Sequence, residues 1–197
     1  IGADLDERSQ WEWWAAQSDA RLQFRNHGVY GQRTDEIAAR LDAAVEGLRV
    51  ETTATGLVVR VSPRGDTDGP ARLCWSNAGH PPAIVVPPRG GATVLETGEP
   101  DLLLGVLAHT DRQERPAVLE PGGTLLLYTD GLIERRGESI DVGLAKLTEV
   151  IDRLSGLPLE VMCDRLLAEL LPENHDDDVA LVAVRLRTPD EAASVQQ

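Results

Sequence analysis

The chain has 197 residues, 42% hydrophobic and 26% charged, a composition that supports one globular domain with a sizeable core. Its net charge of −14 sets it against nucleic acid and anionic membrane as general partners, because either would be repelled over most of the surface. The two cysteines, Cys74 and Cys163, show no metal-binding spacing and read as reduced core residues. With no membrane-length apolar stretch and no signal peptide in view, the expected location is the cytoplasm.

Ser9-Gln10-Trp11-Glu12 has the form of a capping box and Asn26-His27-Gly28 supplies a stop, which predicts a helix over 10–26. Trp11, Trp13 and Trp14 occupy more than one face of it, so part of that indole surface is a candidate for gripping a partner protein or a second copy of the chain as a homodimer. A second helix is predicted over 35–48, capped by Thr34, with Ile37, Leu41, Ala44, Val45 and Leu48 on one apolar stripe.

Strand-like segments follow at 53–62, 72–77, 83–86, 92–95, 116–119 and 124–129, punctuated by Gly, Pro and Asp clusters at hairpin-like spacing. Pro88-Arg89-Gly90-Gly91 reads as a turn and not as a phosphate cradle, because no helix follows it. Helices are predicted over 141–154 and 159–171, the second with Pro158 at an early helical position. An alternating strand over 178–187 closes the domain, expected to span 1–187, and the polar tail 188–197 is expected to be disordered. Strands and helices come in blocks, which points to an α+β fold with sheets packed against helices.

Three places carry candidate chemistry. Leu125-Leu126-Leu127-Tyr128-Thr129-Asp130-Gly131 is an apolar strand that delivers a carboxylate to a sheet edge. His175-Asp176-Asp177-Asp178 precedes the last strand, and consecutive carboxylates there must face water or a cation. If the two strands are antiparallel neighbours, Asp130 and Asp177 meet at one edge and suit an oxygen-ligated Mg²⁺ or Mn²⁺. Ser76-Asn77-Ala78-Gly79-His80-Pro81-Pro82 is a sharp corner in which Asn77 and His80 can hydrogen-bond around a site, although a histidine in such a turn is more often a structural bond-maker than a catalyst.

In order along the chain, that corner, Leu103-Leu104-Gly105-Val106, Leu126–Glu134 and Asp177-Asp178-Val179-Ala180-Leu181-Val182 resemble the SpoIIE-like branch of the PPM-type (protein phosphatase 2C-like) serine/threonine phosphatases. The resemblance covers about 34–187. It implies an αββα sandwich of two mainly antiparallel sheets flanked by helices, with two Mn²⁺ or Mg²⁺ ions at one edge. Asp130 and Asp177 would be metal ligands, with Asp178 beside them and Gly131, Asn77 and His80 in support. The implied reaction is metal-assisted hydrolysis of phosphoserine or phosphothreonine by water, without a phosphoenzyme. The implied substrate is a phosphorylated STAS-type anti-anti-sigma regulator in bacterial partner switching.

The family pattern has two further carboxylates upstream, one in a Gly-Gly-Asp segment that this sequence does not contain. At the other, Ala3 stands where a bridging aspartate falls, and Asp4 or Asp6 in a shifted register is the candidate substitute. The fold expectation therefore allows for missing N-terminal strands. It also leaves an alternative function, a pseudophosphatase that binds a partner through its Trp-rich first helix. A phosphoacceptor role for Asp130 is disfavoured, because the folds that use one need parallel βα alternation.

Overall fold

The computed structural model describes residues 34–47, 53–62, 69–96, 98, 101–107, 110–171 and 178–188. All lie in the compact unit Arg33–Gln197, one of two into which the chain divides, the other being Ile1–Gln32. The predicted helix over 10–26 with its three tryptophans, Asp4 and Asp177 lie outside the described residues.

The elements are α1 (Thr34–Gly47), β1 (Gly56–Ser62), β2 (Ala71–Ala78), β3 (Ile84–Val86), β4 (Thr93–Val94), β5 (Arg115–Leu119), β6 (Thr124–Tyr128), α2 (Ile140–Leu154), α3 (Leu159–Leu170) and β7 (Leu181–Arg185). They form two antiparallel sheets, one in the order β1-β2-β5 and the other β4-β3-β6-β7. Helix α1 packs on β1 and β2, while α2 and α3 pack on each other and on the four-stranded sheet. The result is the expected α+β sandwich, and each predicted element that lies among the described residues falls within about three residues of an observed boundary, a normal tolerance for helix and strand ends.

Alternation along the strands builds two apolar layers. Leu73, Trp75, Val85, Leu119 and Leu125 pack between the sheets, whereas Ile84, Val86, Leu126 and Tyr128 face Leu147, Ile151, Met162 and Leu166 of the helices. Strands β3 and β6 are covered on both faces, which is why Leu125-Leu126-Leu127 shows no polar alternation. Helix α2 docks through Leu147, Val150, Ile151 and Leu154, an i, i+3, i+4, i+7 stripe.

The layer beneath α1 is different in kind. The apolar stripe expected to bury this helix is only partly covered: Ile37 and Val45 are half-buried, whereas Leu41 is 40% exposed and Ala44 is exposed. Thr34, Ala38 and Asp42 are buried instead. Thr34 does not cap the helix with its own oxygen; its main-chain N–H and its hydroxyl both donate to Glu114 Oε2, at 2.9 and 2.7 Å. A carboxylate from the segment before β5 thus takes the place of a local cap, where the helix dipole favours negative charge. Pro158 is likewise outside the helix it opens: it is the N-cap of α3, with ψ 143°, and its carbonyl accepts from Met162 N at 2.9 Å.

About two turns further along α1, Asp42 meets Arg112. Arg112 Nε donates to Asp42 Oδ2 at 2.9 Å and its Nη2 to Asp42 Oδ1 at 2.8 Å, with both side chains at most 2% exposed. The guanidinium also donates to the carbonyls of Leu102 and Leu103, and Asp42 Oδ1 accepts from Gly105 N at 3.1 Å. This buried ion pair is therefore fully hydrogen-bonded, the condition under which burial of two charges is tolerated.

Candidate functional site

The pairing of β6 with β7 runs from Thr124↔Arg185 to Tyr128↔Leu181 and is antiparallel, as the sequence required for its two acidic strand ends to meet. Thr129 extends the ladder beyond the strands. Its N–H donates to Ala180 O at 3.0 Å, and its hydroxyl accepts from Ala180 N at 2.9 Å while donating to Asp178 O at 3.1 Å. The chain then tightens into a 3-10 turn, Asp130–Leu132, in which Asp130 O accepts from the N–H groups of both Ile133 and Glu134.

Asp130 is exposed, and its Oδ1 accepts from Gly131 N at 3.0 Å. Gly131 is buried against the returning chain: a Cβ built there would stand 2.6 Å from the Asp178 carbonyl oxygen. Glycine is needed here for close approach of two main chains, and that approach brings Asp130 and Asp178 to one edge.

The corner between β2 and β3 reaches the same edge from the other sheet. Asn77 Nδ2 donates to His80 O and His80 N donates to Asn77 Oδ1, both at 2.8 Å. Both polar atoms of the Asn77 amide thus close its own turn, an Asx-type closure, each with one further donor or acceptor position. Gly79 within it has φ 69°, and a Cβ there would lie 2.2 Å from Leu103 Cδ2.

The His80 ring hydrogen-bonds Thr55 Oγ1 through Nδ1 at 3.0 Å and lies beside the Tyr128 main chain. Burial lowers its pKa, and the opposing pull of the Tyr128 main chain and the Asp130 charge does not overcome that. His80 is therefore a neutral cross-brace between the sheets beside Asp130, the bond-making role that tight-turn histidines usually have. The concavity next to this corner, about 350 Å³, is lined by Asn77, Gly79, His80, Pro82, Leu95, Glu96, Gly98 and Asp101.

Two supports were not legible as site residues. Leu103 and Leu104 had been notable only as part of a motif, yet Leu103 fills the hollow at Gly79, while Leu104 pairs with Ala54 through two main-chain bonds of 3.1 and 2.8 Å and covers Gly56. Arg135 gathers main-chain carbonyls around the Asp130 turn. Its only sequence signal was a basic residue just after an acidic turn.

Asp130 and Asp178 supply hard oxygen donors at one exposed edge, chemistry that fits Mg²⁺ or Mn²⁺. Among the described residues they are not joined by a third acidic, histidine or cysteine side chain into a larger ligand group. No described helix is long and apolar enough to cross a membrane.

The paired antiparallel sheets with flanking helices define the fold of the PP2C-type phosphatase domains. The SiaA-PP2C domain of Pseudomonas aeruginosa superposes with a TM-score of 0.58 at 16% identity, over 80% of this chain and 62% of that one. RsbX in complex with magnesium gives 0.53 at 14% identity, over 85% and 67%. The structure of the RsbU and RsbW domains of Rv1364c from Mycobacterium tuberculosis gives 0.67 at 29% identity, over 81% of this chain and 44% of that one. The chain thus spans less than half of that protein and under two thirds of the SiaA domain. The family described as Stage II sporulation protein E (SpoIIE) matches residues 16–187, and the chain belongs to it.

Proposed function

We propose that this domain is a divalent-metal-dependent protein serine/threonine phosphatase whose substrate is a phosphorylated STAS-type anti-anti-sigma regulator. The observation that supports it most directly is the β6–β7 register, which continues through Thr129 and sets Asp130 beside the Asp178 main chain. Family membership and the 29%-identical RsbU-containing neighbour support the phosphatase class and the regulatory setting.

In this reading Asp130, Asp177 and Asp178 hold the metal. The chemistry supplied at such a site by Mn²⁺ or Mg²⁺ is polarisation of a phosphoryl oxygen and activation of water. The protein's own part is placement. Gly131 lets the two acidic segments close, Thr129 ties them with three hydrogen bonds, and His80 braces the opposite sheet without adding a positive charge that would compete with a cation.

The test is Mn²⁺-dependent hydrolysis of p-nitrophenyl phosphate and of a phosphoserine protein, with Asp130→Ala as control. Metal-dependent turnover abolished by that substitution supports the enzyme. A folded protein with no turnover on either substrate refutes it, and favours the partner-binding module.

A further inference from the structure

Arg135 leaves the chain three residues after the Asp130–Leu132 turn and folds back over it. Its Nη1 donates to Gly131 O at 3.2 Å and Glu134 O at 2.5 Å, and its Nη2 to Leu132 O at 3.2 Å and Leu170 O at 2.5 Å. Two of these carbonyls belong to the turn that carries Asp130, and a third, that of Glu134, lies two residues beyond it. The fourth ends α3, where helical carbonyls have no intrahelical partner and the dipole favours a cation.

From this arrangement we infer that Arg135 is a positioning residue, which fixes the Asp130 turn relative to the C-terminal end of α3 and to the returning chain at Asp178. The planar guanidinium is suited to this because its donors point in fixed, diverging directions, whereas an ammonium is a compact point charge with three rotatable donors on a flexible stem. The turn otherwise depends on short local bonds, Leu132 N to Thr129 O and Ile133 and Glu134 N to Asp130 O. Without Arg135 those bonds hold the turn's shape, and the tie to α3 is left to apolar packing of Leu132 and Ile133 with Leu166 and Leu170, which is not directional. Gly131 transmits the restraint, since it sits in main-chain contact with Asp178.

A comparison is available within the same sheet. Arg185 is also a carbonyl clamp, bonding Thr124 Oγ1, Leu157 O and Ser155 O, but it lies at the opposite end of the β6–β7 pair. It therefore controls for loss of a half-buried arginine clamp as such.

As far as metal is concerned the inference rests on the proposed phosphatase reading, so the experiment has two readouts on Arg135→Lys and Arg185→Lys, both compared with the unsubstituted chain. Amide hydrogen exchange is read at Leu132, Ile133 and Glu134, and Mn²⁺ affinity by calorimetry. The expected result is at least tenfold faster exchange at those three amides and at least tenfold weaker Mn²⁺ binding for Arg135→Lys. Arg185→Lys should stay within about twofold of the parent in both, even if its thermal midpoint falls as far. Equal effects of the two substitutions, or none from Arg135→Lys, overturn the inference. Absence of Mn²⁺ binding by the parent chain overturns the metal reading alone, and the exchange comparison then decides the role of Arg135.

Discussion

Replacing Asp42 with alanine removes one half of a buried ion pair and leaves the other half in place. The Arg112 side chain is fully buried and gives two of its donors to Asp42, at 2.9 and 2.8 Å. In Asp42→Ala those donors have neither partner nor water, and Gly105 N loses its acceptor as well. Stranding one partner of a buried pair costs about 3–5 kcal/mol. The carbonyls of Leu102 and Leu103 still hold the other side of the guanidinium, which places the expected loss toward the lower part of that range. For a domain of this size each kcal/mol moves the melting midpoint by roughly 2–4 °C, so the variant should melt about 6–15 °C lower.

The assay is urea unfolding followed by far-ultraviolet circular dichroism, with the midpoint falling and the m-value unchanged. The double substitution Asp42→Leu with Arg112→Met removes both charges together and should recover most of the loss, because apolar replacement of a buried pair is often neutral. A loss below about 1 kcal/mol for Asp42→Ala would refute the reasoning, since it would mean that water reaches Arg112 in the folded protein.

Three further outcomes follow from local geometry. Gly79→Ala meets both a left-handed φ of 69° and a side chain 2.2 Å away, whereas Gly91→Ala meets a φ of 84° with open space, so in chemical denaturation Gly79→Ala should lose about 1–3 kcal/mol more than Gly91→Ala. Gly131→Ala forces the Asp130 turn off the Asp178 carbonyl; it should cost about 1–3 kcal/mol and depress any Mn²⁺-dependent turnover, and an unchanged midpoint and rate would contradict the close approach. The Cys163 thiol is pushed above its usual pKa, chiefly by burial and secondarily by Asp164. Its iodoacetamide labelling should therefore rise at a higher pH than in the unfolded chain, as read by peptide mass spectrometry, with Cys74 labelled only on unfolding.

What could be read from sequence and what could not divide along a physical line. The strands were legible because apolar alternation records a face buried against carbon, and β6 was legible as doubly buried because its alternation vanishes. The edge at Asp130 was legible once β6 and β7 were taken as antiparallel neighbours, because period and register then fix which ends meet. Helix α1 was only partly legible because the apolar stripe marks a half-buried face, while its buried polar contacts are hydrogen bonds with Glu114 and Arg112, partners 80 and 70 residues away that no local pattern encodes. Asn77 shows a related limit: its amide closes its own turn with His80, and composition does not reveal which partners a short amide takes.

The polar layer beneath α1 also bears on the site at a distance. Asp42 holds Gly105, and the two residues before Gly105 are Leu104, which pairs with Ala54, and Leu103, which fills Gly79. Ala54 adjoins Thr55, whose hydroxyl bonds His80, and Gly79 adjoins His80 itself. A single short segment, 103–105, thus joins the α1 ion pair to both sides of the corner that lies beside Tyr128 and faces Asp130. Apolar packing would tolerate a shift of this segment by small repacking, but a buried guanidinium with four directed bonds would not, because each displaced donor meets no water. The buried pair is therefore better understood as setting the position of the His80 corner than as adding net stability, the role for which paired buried charges are best suited.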